Sequence, residues 1–217
     1  MDFGLRDRTA LITGATRGIG LAIAQSLAAE GAQVAVIART PADVDRLAHK
    51  LHGVGVSSDL VTHRGRQHAF ESTVDRLGHV DIVVNNFGVR AGTNWKDTGI
   101  DEFRRAIDGN VVAAAHLTSM ALPKMLSRGW GRIVVIASVY GLEAGGAPAY
   151  NAAKAAEIAY VASLGPSLRG TGVTANAVAP GPILYEGGSW SRRLEADPEL
   201  ITDFVARELP AGRFGTP

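Results

Sequence analysis

"TALITGATRGIGLAIAQSLAAEG", residues 9–31, decides how this chain folds. It opens with a five-residue apolar run of strand length, closes with a segment of helical period (20–31), and turns between them over TGATRGIG (13–20). Glycine has a distinct use at each of three positions. Gly14 allows the tight turn, Gly18 lets the backbone approach a pyrophosphate, and Gly20 allows the helix to pack closely on the sheet. The free N–H groups of this turn, which also contains Thr16, Arg17 and Ile19, favour a bound anion together with the positive end of the helix dipole. The spacing is Gly-x-x-x-Gly-x-Gly rather than the commoner Gly-x-Gly-x-x-Gly. Taken alone, three glycines also suit a tight turn with no ligand; the strand before and helix after them favour a cofactor site.

Outward from this unit, short apolar runs recur at QVAVIA (33–38), VDIVVNN (80–86), RIVVIAS (132–138) and VTANAVA (173–179), with a weaker VGVSS at 54–58. They are dense in Val and Ile rather than alternating with polar residues, as expected for strands buried on both faces. Segments of helical period separate them, including PADVDRLAHKL, one starting near Arg64, and FRRAIDGNVVAAAHLTSMALPKM (103–125). Strand and helix in alternation predict an α/β fold, a doubly wound parallel sheet of Rossmann type in three layers. No repeat, linker or low-complexity tract divides the chain, so 1–217 reads as one domain. Pro166 predicts that the helix beginning near Tyr150 ends by Leu164. The mixed segment 182–210 follows the last strand and reads as a substrate lid at the carboxyl edge of the sheet.

Composition narrows the function classes. A formal net charge of +1 supplies no global field for nucleic acid or an anionic membrane. The absence of cysteine excludes disulfides, thiolate metal sites and thiol nucleophiles, and fits a cytoplasmic location. The amino terminus lacks the pattern of a signal peptide, and no apolar run reaches membrane-spanning length. The six histidines form only two close pairs, His49/His52 and His63/His68, without metal-ligand spacing, so no metal is expected. The basic HRGRQH (63–68) opens a helix and is expected to face solvent. The SRR at 191–193 suits either an anionic substrate or a polar lid surface.

The end of the second strand bears on which dinucleotide binds. An acid there would bond the ribose hydroxyls and repel a 2′-phosphate. This chain has Ala38 at that place, then Arg39 and Thr40, with Arg17 inside the glycine turn. Two arginines and no acid point to NADP (NADPH) rather than NAD.

The chemistry lies further along. Ser138 ends the fifth strand run, Tyr150 follows twelve residues later, and Lys154 four after that. A spacing of four puts Tyr150 and Lys154 on one helical face. An ammonium about 5 Å from the phenol, at an effective dielectric near 20, favours phenolate by roughly 3 kcal/mol. That brings the phenol toward the range useful for proton transfer to a carbonyl oxygen, to which Ser138 can also donate.

These residues resemble the short-chain dehydrogenases/reductases. YNAAK (150–154) with the upstream serine is similar to that family's active site, and TGATRGIG to its cofactor turn. NNFG (85–88) lies close to its Asn-Asn-Ala-Gly, and NAVAPGPI (176–183) is similar to its Pro-Gly segment. The resemblance runs from Thr9 to Pro217. It implies that Tyr150 exchanges the proton, Lys154 assists it and bonds the nicotinamide ribose, Ser138 orients the carbonyl, and Asn110 holds a water linking Lys154 to solvent. It further implies cofactor contacts from Asp59 and Leu60 near the adenine, from Asn86 and Gly88, and from Pro180, Gly181 and Ile183 at the nicotinamide. A small-molecule carbonyl substrate and a homo-oligomeric assembly, dimer or tetramer, are implied as well.

Three features depart from the family pattern. Phe87 replaces a small residue, which leaves crowding of the adenosine side and filling of a gap both open. Tyr185 stands where a threonine commonly touches the pyrophosphate. After RFGTP the family continues through a helix and a last strand, so the sheet is expected to lack that strand. This last departure motivates a competing expectation: a shortened family member that binds nucleotide or a protein partner without catalysis.

Overall fold

The computed structural model describes residues 2–217. Two compact units follow one another: a larger one ending at Ala179, and Pro180–Pro217. The larger is built on a six-stranded parallel sheet in the order β3-β2-β1-β4-β5-β6. Its strands are β1 (Thr9–Thr13), β2 (Gln33–Ala38), β3 (Val54–Ser57), β4 (Ile82–Asn85), β5 (Gly131–Ile136) and β6 (Val173–Val178). The helices α1 (Gly18–Ala29), α2 (Pro41–Leu51), α3 (His63–Leu77), α4 (Ile100–Ile107), α5 (Ala113–Arg128) and α6 (Pro148–Ser167) alternate with them. The order reverses between β1 and β4. At such a switch point the loops after adjacent strands diverge and open a crevice at the carboxyl edge.

Successive side chains of a strand point to opposite faces, and the sheet is buried on both. Leu11, Ile37, Val83 and Ile133 pack on one face with Ala69 of α3 and Leu117, Ala121 and Met125 of α5. Ile12, Val34, Val36 and Val84 pack on the other with Ala24 of α1 and Val44 and Leu47 of α2. The three-layer arrangement follows directly from the uninterrupted Val/Ile runs. β6 departs from them: after the buried Val173 it alternates between exposed and half-buried positions, because it is an edge strand of the six.

Two local expectations need correction. α6 does not end at Leu164 but continues to Ser167 with Pro166 inside it. Proline is tolerated there because it lies in the last turn and follows Gly165, which has no Cβ to clash with the ring. Leu168 N–H then closes the helix on the carbonyls of Leu164 and Gly165. The stretch expected as one helix over 103–125 is α4, a π-turn (Asp108–Val112) and α5 in succession. A π-turn inserts an extra residue into the helical ladder and changes the direction in which its side chains leave.

The second unit contains α7 (Ser189–Ala196) and α8 (Pro198–Glu208). Trp190 stacks on Phe204 at 4.8 Å between ring centroids, with Phe214 at 5.4 Å. The Asp197 side chain accepts from Leu200 N–H and caps α8. Among the described residues, no helix is long and apolar enough to cross a membrane.

Candidate active site

The glycine turn leads from β1 into α1. Gly14 and Gly18 have φ of +63° and +54°, a region that L side chains rarely adopt. Gly20 is needed for space: a Cβ there would lie 2.4 Å from the Gly14 carbonyl oxygen. Asn86, just past β4, donates its side-chain amide to the carbonyls of Thr13 and Gly14 at 2.9 and 3.1 Å. Thr13 Oγ1 in turn accepts from the N–H groups of Asn86 and Phe87, each at 2.9 Å. Asn86 thus braces the turn from behind. No side chain caps α1 at Arg17 and its first turn carries no acid, so its amino-terminal end retains its positive character. Thr16, Arg17 and Ile19 lie within this segment.

At the end of β2, Arg39 and Thr40 are exposed. The Ser57 hydroxyl donates to the Arg39 carbonyl at 2.9 Å and holds the backbone from which that guanidinium leaves. After β3, Asp59 is exposed and accepts from Val61 N–H at 3.2 Å, whereas the Leu60 side chain is buried in the core. Leu60 is therefore left with its backbone to offer a ligand. Arg66 corrects the expectation of a solvent-facing basic patch: it is only 5% exposed. Its guanidinium donates to the carbonyls of Leu60 and Val61, and its Nε–H to His116 Nδ1 at 3.2 Å. Arg66 clamps the turn that carries Asp59 and Leu60. Phe87 packs against the core face of α3 and α5, so it fills space there.

The second cluster forms around α6. Lys154 is 3% exposed and lies on the same face as Tyr150, with Nζ 5.7 Å from the Tyr150 ring centroid. Nζ donates to the carbonyl of Ile136 at the end of β5 (2.9 Å) and to Glu157 Oε2 (2.8 Å). Burial pushes the Glu157 carboxyl above the ordinary carboxylate range, against the opposing pull of Lys154. Ser138, two residues past β5, accepts from Tyr140 N–H at 3.2 Å and opens a short 3-10 turn, Val139–Gly141. That turn lies tightly on α6, since a Cβ on Gly141 would come 2.7 Å from the Lys154 carbonyl group.

Asn110 enters from the π-turn. Its side-chain amide donates to the carbonyls of Val89 and Ala106 at 2.8 and 2.7 Å. Its Oδ1 is buried and has no hydrogen-bond partner among the described residues. A Cβ on Gly88 would lie 2.6 Å from that oxygen and 3.4 Å from Lys154 Nζ. The missing side chain of Gly88 therefore leaves one small region open to both groups. Arg90 lies over the Tyr150 ring at 5.1 Å, a cation on the π face. Pro180, Gly181 and Ile183 open the second unit, where Ile183 bridges to Gly215.

Residues 8–191 match the family described as short chain dehydrogenase. The chain belongs to that family. It is 33% identical to the 3-oxoacyl-[acyl-carrier-protein] reductase of Aquifex aeolicus, over 100% of this chain and 88% of that one. It is 32% identical to the D-beta-hydroxybutyrate dehydrogenase of Cupriavidus necator, over 98% and 87%. The crystal structure of L-sorbose reductase from Gluconobacter frateurii, complexed with NADPH and L-sorbose, superposes with a TM-score of 0.91 at 28% identity, covering 99% of this chain and 87% of that one. The chain is thus an oxidoreductase of the short-chain dehydrogenase type, a family that binds a nicotinamide cofactor.

The residues present fit such a cofactor: a glycine cradle that a Cβ would fill, an uncapped helix start for phosphate, and a buried unpartnered oxygen beside a lysine. Sequence reasoning did not single out Glu157 or Arg90, and it placed Arg66 in solvent. For Glu157 a signal existed: positions 150, 154 and 157 are spaced i, i+4, i+7 and share one helical face.

Proposed function

We propose that this short-chain dehydrogenase is an NADP-preferring reductase of a small carbonyl compound, working reversibly on the matching alcohol. The observation that carries the reading is the helix face of Tyr150 and Lys154, packed beside the Ser138 turn and facing Asn110 across Gly88. Gly14, Thr16, Arg17, Gly18, Ile19 and Gly20 would hold the pyrophosphate, Arg39 and Thr40 the 2′-phosphate, and Asp59 with Leu60 the adenine. Asn86 and Gly88 would line the path to the nicotinamide. Bound there, a nicotinamide supplies or takes up a hydride at the substrate carbon.

The chain's own residues handle the proton. Tyr150 gives its phenolic proton to the oxygen of a carbonyl during reduction and takes it back during oxidation. Lys154, as an ammonium, favours the phenolate and would bond the ribose of a bound cofactor. Ser138 accepts from Tyr140 N–H, which orients its own O–H to donate to the same substrate oxygen. Asn110 Oδ1 holds a water beside Lys154, through which the proton is replaced.

The NADP preference rests on Arg39 at an end of β2 that carries no acid. It is also supported by the NADPH named with the sorbose reductase. The compounds named with the relatives, 3-oxoacyl-[acyl-carrier-protein], D-beta-hydroxybutyrate and L-sorbose, each carry a ketone or the matching alcohol, which supports that class for this chain. A homo-oligomer is part of the proposal. The test is a fluorescence titration of NADPH, with NADH beside it, followed by a panel of ketones. The reading expects tighter NADPH binding and turnover of at least one ketone that is lost in Tyr150→Phe while cofactor binding persists. Undiminished turnover in Tyr150→Phe would sink the assignment.

A further inference from the structure

Glu157 is 1% exposed, and its Oε2 lies 2.8 Å from Lys154 Nζ, itself within a side chain that is 4% exposed. A carboxylate in an alanine-rich helix face is costly to bury unless it answers another charge. Among the described residues, Lys154 is the one charge acting on it. The elements packed on α6 bring no second one to the carboxylate: in the loop after β4, Arg90 lies over the Tyr150 ring, a turn beyond Lys154, and on α5 His116 faces Arg66 while Lys124 and Arg128 are exposed. β6 has no titratable side chain, and on β5 only Arg132 is charged, bonded to the carbonyls of Gly131 and Gly172. The 3-10 turn carries Tyr140; α4 and the π-turn carry Asp101, Arg104, Arg105 and Asp108 at exposed positions, and Glu102 bonded to Gly99 N–H. On α6 itself the other titratable groups are Tyr150 and Tyr160.

The pair has two opposing consequences for Tyr150, and distance decides between them. The carboxylate stabilises the ammonium on which the phenol depends, and it opposes a phenolate directly. Glu157 follows Tyr150 by seven residues, about 10 Å along the axis at 1.5 Å per residue. Coulomb energy falls with distance, so the carboxylate acts on Nζ roughly three times more strongly than on the phenol oxygen. Keeping the cation wins.

We propose that Glu157 is a positioning residue for the reaction: its buried carboxylate holds the Lys154 ammonium in place and in its charged form, one turn from Tyr150. This rests on reading Tyr150 and Lys154 as the reacting pair. Without Glu157, the Ile136 carbonyl would be the one partner left to Nζ among the described residues of the cofactor-free chain, a neutral group for a charge almost out of contact with water. Sequence reasoning assigned Lys154 its task without the group that keeps a buried lysine charged.

The experiment uses the full chain and two variants. Glu157→Gln keeps the volume and an acceptor oxygen but removes the charge; Glu157→Asp keeps the charge and draws it back by one methylene. The Lys154 side chain is followed by NMR against pH without cofactor, and the pH profile of kcat/KM is measured with NADPH and a ketone turned over by the parent. In Glu157→Gln, Lys154 loses its proton about one pH unit or more below the parent, and the alkaline limit of kcat/KM falls by the same amount. Glu157→Asp moves both in the same direction by less, and it carries the test should Glu157→Gln not fold. Titration curves and pH limits that superimpose on the parent's overturn the proposal, even where overall rates drop. A Lys154 titration that shifts in Glu157→Gln while the parent turns over no ketone overturns the functional reading, and the role in the reaction with it.

Discussion

Gly20→Ala tests the glycine turn where its packing is tightest. The added methyl would meet the Gly14 carbonyl oxygen at 2.4 Å and Asn86 Nδ2 at 2.5 Å. Ordinary contact begins near 3.4 Å, so the groups must part by about 1 Å (3.4 − 2.4). Neither gives way freely. The oxygen belongs to the turn backbone, and the Asn86 amide is held by bonds to Thr13 and Gly14. Overpacking of this kind costs about 1–3 kcal/mol. If the turn takes up the displacement, the amides proposed to hold a pyrophosphate are misplaced, and NADPH affinity should fall by about 5- to 150-fold. If instead α1 lifts from the sheet, the loss is read in the melting temperature. Fluorescence titration and thermal unfolding of the same preparation separate these outcomes. Parent-like NADPH affinity together with an unchanged melting temperature would refute the close approach of α1 to the turn.

Arg39→Asp places an acid at the end of β2 and is expected to lower the preference for NADPH over NADH by about tenfold or more, measured as the ratio of their dissociation constants. Gly141→Val drives a side chain into the Lys154 carbonyl group, 2.7 Å from the ideal Cβ, so kcat and melting temperature should fall together as the Ser138 turn leaves α6. For His116, burial and the neighbouring His63 and Arg66 hold the imidazole below its ordinary 6.5. Its folded form binds a proton less readily than the unfolded chain, so its contribution is fully present above the unfolded value and lost as pH falls through the folded one. Urea midpoints should drop between about pH 7 and about pH 5, and less so in His116→Gln. Glu157 runs the other way: its folded value is raised above 4.5, so its contribution is present below that value and lost as pH rises through the folded one. Glu157→Gln should therefore gain stability relative to the parent as pH climbs from about 4.5, read from paired melting curves.

Local chemistry explains why much of this protein is legible in one dimension. β1, β2 and α2 coincide with the expected 9–13, 33–38 and 41–51, because each is bounded by residues that impose an edge: Gly14 at a positive φ, Pro41 at a helix start, His52 in a left-handed cap. Tyr150 and Lys154 were legible for a similar reason, since a spacing of four on a helix settles that they share a face. Pro166 was misread because the exemption provided by Gly165 is specific to that neighbour. The Asp108–Val112 π-turn left no mark in the hydrophobic period, which continues through it.

The sequence by itself determined the α/β alternation, the glycine turn, and the face that carries Tyr150 and Lys154, because these depend on residues a few positions apart. Only the tertiary structure decided what those residues meet. Asn86 reaches the turn from just past β4, some seventy residues on, Asn110 and Lys154 converge on Gly88, and Arg66 turns inward to the Leu60 and Val61 carbonyls. Glu157 belongs to both accounts. Its spacing from Lys154 is written in the chain, but its burial, which turns an exposed helical ion pair worth little into a charge that Lys154 cannot do without, comes from the packing of α6 on the sheet.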